Sequence, residues 1–167
     1  DTNCLIYIDG SSLTNQALAE NKHEVTFGNG VSLKDGCINI SNDQSGYILT
    51  TAKSDGYGGI LKTWTWDYYF MSDGSILDCS GDSTKGWTLE GSPGQSLYFR
   101  GYSLNEHLLN VTYNQNELIG LSMQYEYGTL HVWNKGKYIG FCTPTLKNCS
   151  GYSFGIGCIS DAGGAVD

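Results

Sequence analysis

Between His107 and Phe141, apolar and polar side chains alternate in four short runs. Leu109, Val111 and Tyr113 share one side of the first, with Asn110 and Thr112 on the other. In the second, Ile119, Leu121, Met123, Tyr125 and Tyr127 share a face opposite Gly120, Ser122, Gln124 and Glu126. Leu130 and Val132 alternate with His131 and Trp133 in the third, and Lys137 to Phe141 forms the fourth. A period of two is that of a half-buried strand. Tyr127-Gly128 and Asn134-Lys135-Gly136 supply reversals, because Asn and Gly tolerate positive φ. The prediction is a run of antiparallel hairpins with Leu130 and Val132 inward and His131 and Trp133 outward.

The same pattern continues through the chain. Strands are expected at Cys4 to Ile8, His23 to Phe27, Val31 to Lys34, Gly36 to Ser41 and Tyr47 to Ala52. A helical turn is expected around Gln16 to Glu20. Leu61 to Met71 reads as the strongest strand, with Trp64, Trp66, Tyr68 and Phe70 on a core face. Burying those rings removes large apolar areas from water. Ser75 to Cys79, Gly86 to Glu90, Gln95 to Tyr102 and Tyr152 to Ile159 complete the set. Many short strands with turn signals about every 8–12 residues imply a sandwich or barrel. The chain reads as one domain over 1–167, with 161–167 as a loose tail.

Composition sharpens this picture. The chain has 23 Gly, 12 Tyr and 4 Trp against 2 Pro, as an all-β protein does. Its formal charge of −8, with 9 scattered Lys and Arg, argues against nucleic-acid binding. No apolar run approaches the roughly 20 residues of a membrane span, so membrane insertion is not expected. The chain opens at Asp1 and reads as a processed chain or a module. Cys4, Cys37, Cys79, Cys142, Cys149 and Cys158 are even in number and show neither C-x-x-C nor zinc-finger spacing. They imply three disulfides in an oxidising compartment. Sequons at Asn39, Asn110 and Asn148 agree with export. Asn39 and Asn110 alternate against apolar neighbours and should face outward.

Residues 120–141, GLSMQYEYGTLHVWNKGKYIGF, carry a family resemblance. A strand, a Gly turn, a strand ending in an aromatic, then Asn-x-Gly-Lys and a return strand resembles the laminin-G-like and pentraxin-like branch of the concanavalin A-like jelly rolls. The pair at 36–50 ahead of the Trp-rich strand at 61–71 fits the same pattern. The resemblance implies an antiparallel two-sheet jelly roll whose terminal strands lie side by side. Cys4 would then pair with Cys158 and Cys142 with Cys149, leaving Cys37 for Cys79. It also implies non-enzymatic recognition of a glycan or cell-surface receptor by a secreted or surface-displayed module. The alternative is a self-associating subunit of an extracellular filament, sheath or capsid, joined through edge strands.

Catalytic signals are sparse. Jelly-roll glycanases need two carboxylates facing one cleft. Of the glutamates, only Glu126 lies squarely on a predicted strand face, and Asp67 is the other strand acid. The two read as solvent-facing acids rather than a catalytic pair. His23, His107 and His131 lack metal-site spacing. Relatives of this fold hold calcium at a sandwich rim, and Asp73, Asp78 and Asp82 are the candidate ligands around 72–82, although Asp-Gly pairs also make ordinary turns. No other cofactor is implied. The binding candidates are Trp133, Tyr69, Asp67, Gln124 and Glu126. Sugar rings stack on exposed aromatics while Asp and Gln supply hydrogen bonds. Trp133 is either such a platform or a ring packed beneath a loop or the second sheet.

Overall fold

The structure is a computed structural model. It describes residues 2–41, 46–51, 63–70, 77–78, 87–91, 94–101, 106–114, 117, 119–146 and 153–157, with 63–70, 77–78 and 106 described by backbone alone. The strands are β1 (Val25–Phe27), β2 (Val31–Lys34), β3 (Cys37–Ile40), β4 (Ile48–Thr50), β5 (Thr63–Phe70), β6 (Leu77–Asp78) and β7 (Thr88–Glu90). They continue with β8 (Ser96–Arg100), β9 (Glu106–Thr112), β10 (Ile119–Glu126), β11 (Thr129–Asn134), β12 (Lys137–Cys142) and β13 (Gly155–Ile156). Seven form one antiparallel sheet in the order β1-β4-β13-β6-β7-β8-β9. Four form a second, β12-β11-β10-β5, and β2-β3 is a separate hairpin.

The chain is an all-β sandwich, and its core shows why. Ile119, Leu121, Met123 and Tyr125 of β10 and Leu130 and Val132 of β11 are buried. They meet Leu89, Leu97, Phe99, Leu109 and Val111 from the seven-stranded sheet in one cluster. Trp87 closes it, stacked on Phe99 at 5.3 Å and tilted against Phe154 at 5.7 Å. The alternation predicted for β10 and β11 is therefore the one observed, with Tyr127 as the exception. β5 pairs with β10 so that Trp64, Trp66, Tyr68 and Phe70 stand opposite Tyr125, Met123, Leu121 and Ile119. The aromatic series thus occupies the register of the core series.

Two-residue turns with both φ angles positive join β2 to β3, β10 to β11 and β11 to β12. They are Asp35-Gly36, Tyr127-Gly128 and Lys135-Gly136. Turns of this hand match the right-handed twist of the strands they join. Tyr127, expected on the buried face, is instead a turn residue with φ +44° and is exposed.

The amino-terminal stretch departs from expectation. Cys4 to Ile8 is not a strand, and Gln16 to Glu20 is not helical. One side chain accounts for both. Asn15 accepts from the Tyr7 and Ala17 amides and donates to the Leu5 and His23 carbonyls. Those backbone groups are satisfied without a ladder or a helical turn, as Asx motifs commonly do. Of the expected Tyr152 to Ile159 strand, the described residues 153–157 show β13 at Gly155–Ile156. It lies between β4 and β6, in the interior of the sheet. The loops expected at 54–59 and 80–85 and the tail at 161–167 lie outside the described residues.

Candidate functional site

Strict alternation along β12 would put Tyr138 and Phe141 on opposite faces. A bulge prevents this. Trp133 pairs with Tyr138, but Val132 pairs with Gly140 and His131 with Phe141. One extra residue is thereby accommodated in β12, and Phe141 returns to the side of Tyr138. Gly140 makes the bulge possible. Its φ of +136° is a conformation that side-chain-bearing residues rarely adopt, although a Cβ there would meet open space.

Four rings consequently gather on the outer face of the four-stranded sheet. His131 is central, with ring centroids 6.2 Å from Trp133, 6.1 Å from Tyr138 and 6.1 Å from Phe141. Trp133 and Tyr138 are 5.3 Å apart at 57°. His131 Nδ1 shares a 3.1 Å hydrogen bond with the Tyr138 hydroxyl. Tyr138 is 47% exposed and Phe141 67%, while His131 and Trp133 are half-buried. The cross-strand register extends this face. Phe141, His131, Gln124 and Thr65 form one row, and Tyr138, Trp133, Ser122 and Asp67 the next.

Of the binding residues expected from sequence, Trp133 and Gln124 lie within this arrangement. Glu126 is exposed at the far end of β10, opposite Thr129 and Thr63. Asp67 and Tyr69 are placed by backbone register opposite Ser122 and Gly120. Alternation points His131 outward, but nothing in the local pattern recruits it, Tyr138 or Phe141 to a site. The available signal was Gly140, since a glycine inside a strand often marks a bulge.

The outer face of the other sheet holds a different constellation. Glu90, at the end of β7, accepts 2.8 Å bonds from the Thr88 hydroxyl and the Tyr98 hydroxyl. Arg100 Nη1 lies 3.3 Å from Glu90 Oε2, and its guanidinium stands 4.7 Å from the Tyr98 ring centre. Glu126 is therefore not alone among glutamates on a strand face, and the expectation that it would be is corrected. Its side chain, unlike that of Glu90, projects into solvent.

Among the described residues, no group of three or more His, Cys, Asp or Glu could hold a metal. Asp73 and Asp82 of the calcium expectation lie outside the described residues, and Asp78 is placed only by backbone pairing with Thr88 and Gly155. His23 is buried and His107 half-buried. Cys4, Cys37 and Cys142 are free thiols in the structure. Their expected partners Cys158, Cys79 and Cys149 lie outside the described residues. Burial pushes the Cys142 thiol up to about 11. Asn39 and Asn110 are exposed on β3 and β9, as a glycan acceptor requires. Asn148 lies outside the described residues.

No family model and no curated protein matches the chain. Solved structures do. The binding domain of botulinum neurotoxin DC in complex with SialylT aligns with TM-score 0.58 at 18% identity, covering 80% of this chain and 38% of that one. The botulinum neurotoxin serotype D binding domain aligns with TM-score 0.61 at 12% identity, over 89% and 44%. An HCR/D mutant gives 0.64 at 12%, over 99% and 45%. This chain therefore spans less than half the length of each, and the likeness is one of fold.

Proposed function

We propose that this chain is a non-enzymatic recognition module that binds a glycan or glycoprotein receptor through the outer face of the four-stranded sheet. The observation that carries this reading is the gathering of Trp133, Tyr138, His131 and Phe141 on one solvent-facing side. Hydrophobic burial normally removes such rings from water. A contiguous exposed apolar patch is the usual mark of an interaction surface. Pyranose rings present C–H faces that stack on aromatics, and Ser122 and Gln124 adjoin the rings with hydrogen-bonding side chains. The fold neighbours are themselves binding domains, one solved with SialylT. An extracellular site of action fits these neighbours, as do the exposed sequon positions and the cysteine content.

A glycanase fits less well. Asp67 stands opposite Ser122, four residues from Glu126 along the strand direction. At the rise of a β-strand that separates their Cα positions by about 13 Å. Carboxylates acting as a glycosidase pair sit about 5–9.5 Å apart.

The test is glycan-array binding of the native chain and of Trp133→Ala. Binding by the native chain that Trp133→Ala abolishes supports the reading. Binding that survives the substitution moves the site elsewhere. One observation favours a second reading, assembly into a filament or sheath. β12 is an outer strand of its sheet and carries the exposed Tyr138 and Phe141, and such edges can accept a neighbouring strand. Light scattering with negative-stain imaging separates the two, since polymers or rings favour assembly and a monomer favours the binding module.

A further inference from the structure

The charges around the aromatic face narrow the ligand class. None of the described Lys and Arg shares the cross-strand rows of the rings, and Lys53, Lys62, Lys85 and Lys147 lie outside the described residues. Lys22 reaches the Asn15 carbonyl at 3.4 Å, and Lys34 belongs to the separate β2-β3 hairpin. Arg100 is held by Glu90 on the opposite sheet. Lys135 sits in the β11-β12 turn, 3.9 Å from Glu117. Lys137 pairs with Asn134, one step out of phase with the Trp133-Tyr138 row. Among the described residues, what shares the rows of the rings or lies beyond them along β10 is neutral or acidic. Ser122, Gln124 and Thr129 are uncharged, Glu126 is exposed on the same side of β10, and Asp67 occupies the register position beside Ser122. The chain as a whole carries −8.

We infer that this face selects neutral glycans, sugars that present an apolar C–H face and carry no carboxylate, over sialylated ones. The inference rests on the glycan-binding reading above. A bound carboxylate is held by charge-assisted hydrogen bonds, most often from Arg or Lys. Here it would lose hydration beside the rings, and among the described residues no Lys or Arg shares their rows to offer such a bond. A neutral pyranose has no such requirement. Its C–H face meets Trp133 and Tyr138, and its hydroxyls can both donate to and accept from the Gln124 amide.

The experiment is an array of matched asialo and sialylated glycans, probed at pH 7.5 with the full chain displayed multivalently. Trp133→Ala and Ser122→Lys are run beside it, with circular dichroism confirming that each variant is folded. The expected result is binding to asialo glycans that sialylation weakens roughly tenfold or more, a difference of about 1.4 kcal/mol. Trp133→Ala loses that binding, and Ser122→Lys, which places a cation beside the rings, narrows the gap between the two series. Equal or tighter binding of the sialylated series overturns the selectivity while leaving the glycan site in place. Failure of the folded native chain to bind any glycan overturns the underlying reading as well. A concentration-dependent mass increase abolished by Trp133→Ala would instead assign the face to a second copy of the chain.

Discussion

On the outside of the seven-stranded sheet, Tyr98 lays its ring under Arg100 and gives its hydroxyl to Glu90, which also accepts from Thr88. On the outside of the four-stranded sheet, Tyr138 packs against the Trp133 and His131 rings and shares a hydrogen bond with the His131 nitrogen, and nearly half of it faces water. Both faces are built from cross-strand neighbours, and both contain a tyrosine. In the first, each polar group finds its complement within the protein, so little interaction capacity is left over. In the second, aromatic area stays open beside the hydrogen-bonding Ser122 and Gln124. A polar network closed on itself stabilises the fold, whereas an open aromatic face keeps its interaction energy for a ligand. The two faces should therefore respond oppositely to truncation, with stability lost on one and binding lost on the other.

The largest expected effect breaks the aromatic face from beneath. Gly140→Val forces a β-branched residue into φ +136°. It should cost about 1–3 kcal/mol and lower the melting temperature by roughly 3–10 °C. Glycan binding should fall with it, because the bulge brings Phe141 and Tyr138 together. Calorimetry and a binding titration check both parts. Glu90→Ala comes next. It removes the carboxylate that the Tyr98 hydroxyl and Arg100 bond and should cost about 1–2 kcal/mol in urea unfolding, a figure discounted for partial exposure. Binding should not change. Tyr138→Ala is the mirror case. Its stability should stay within about 0.5 kcal/mol of the native chain, while glycan affinity falls roughly tenfold.

The smallest effect concerns the groups beneath and beside the aromatic face. Burial raises Cys142 to about 11 and Tyr125 above its ordinary value of 10.0. Both keep their protons longer when folded than when unfolded. Above roughly pH 9 the unfolded chain thus binds fewer protons, and stability should decline as pH rises toward 11. Urea midpoints of the reduced protein measured across this range check the slope, which Cys142→Ser should flatten. At pH 8 the exposed Cys37 should be alkylated faster than the half-buried Cys142.

Much of the fold could be read from the chain because burial enforces alternation. Leu121, Met123 and Tyr125 announce β10, and Leu130 and Val132 announce β11, since a one-residue slip would expose each of them. Trp133 was legible for the same reason, being out of phase with Val132. The rest depended on interactions that local pattern does not encode. Phe141 joins the site only through an irregularity at Gly140, which counting by twos along β12 cannot reveal. Cys4 to Ile8 has the composition of a strand, yet its backbone is captured by Asn15, a residue far from any apolar period. Glu90 reads from sequence only as the end of a strand. Its partners Tyr98 and Arg100 arrive from the next strand, and only register brings them together.

The most direct test of the central claim is a ¹H–¹⁵N NMR titration of the isotope-labelled native chain with a neutral glycan identified on the array. The expected outcome is a contiguous set of shifts at Ser122, Gln124, His131, Trp133, Tyr138 and Phe141, including the Trp133 indole, with Glu90, Tyr98 and Arg100 unmoved. Shifts centred on Glu90, Tyr98 and Arg100, or scattered over both sheets, would contradict the assignment of the aromatic face as the binding surface.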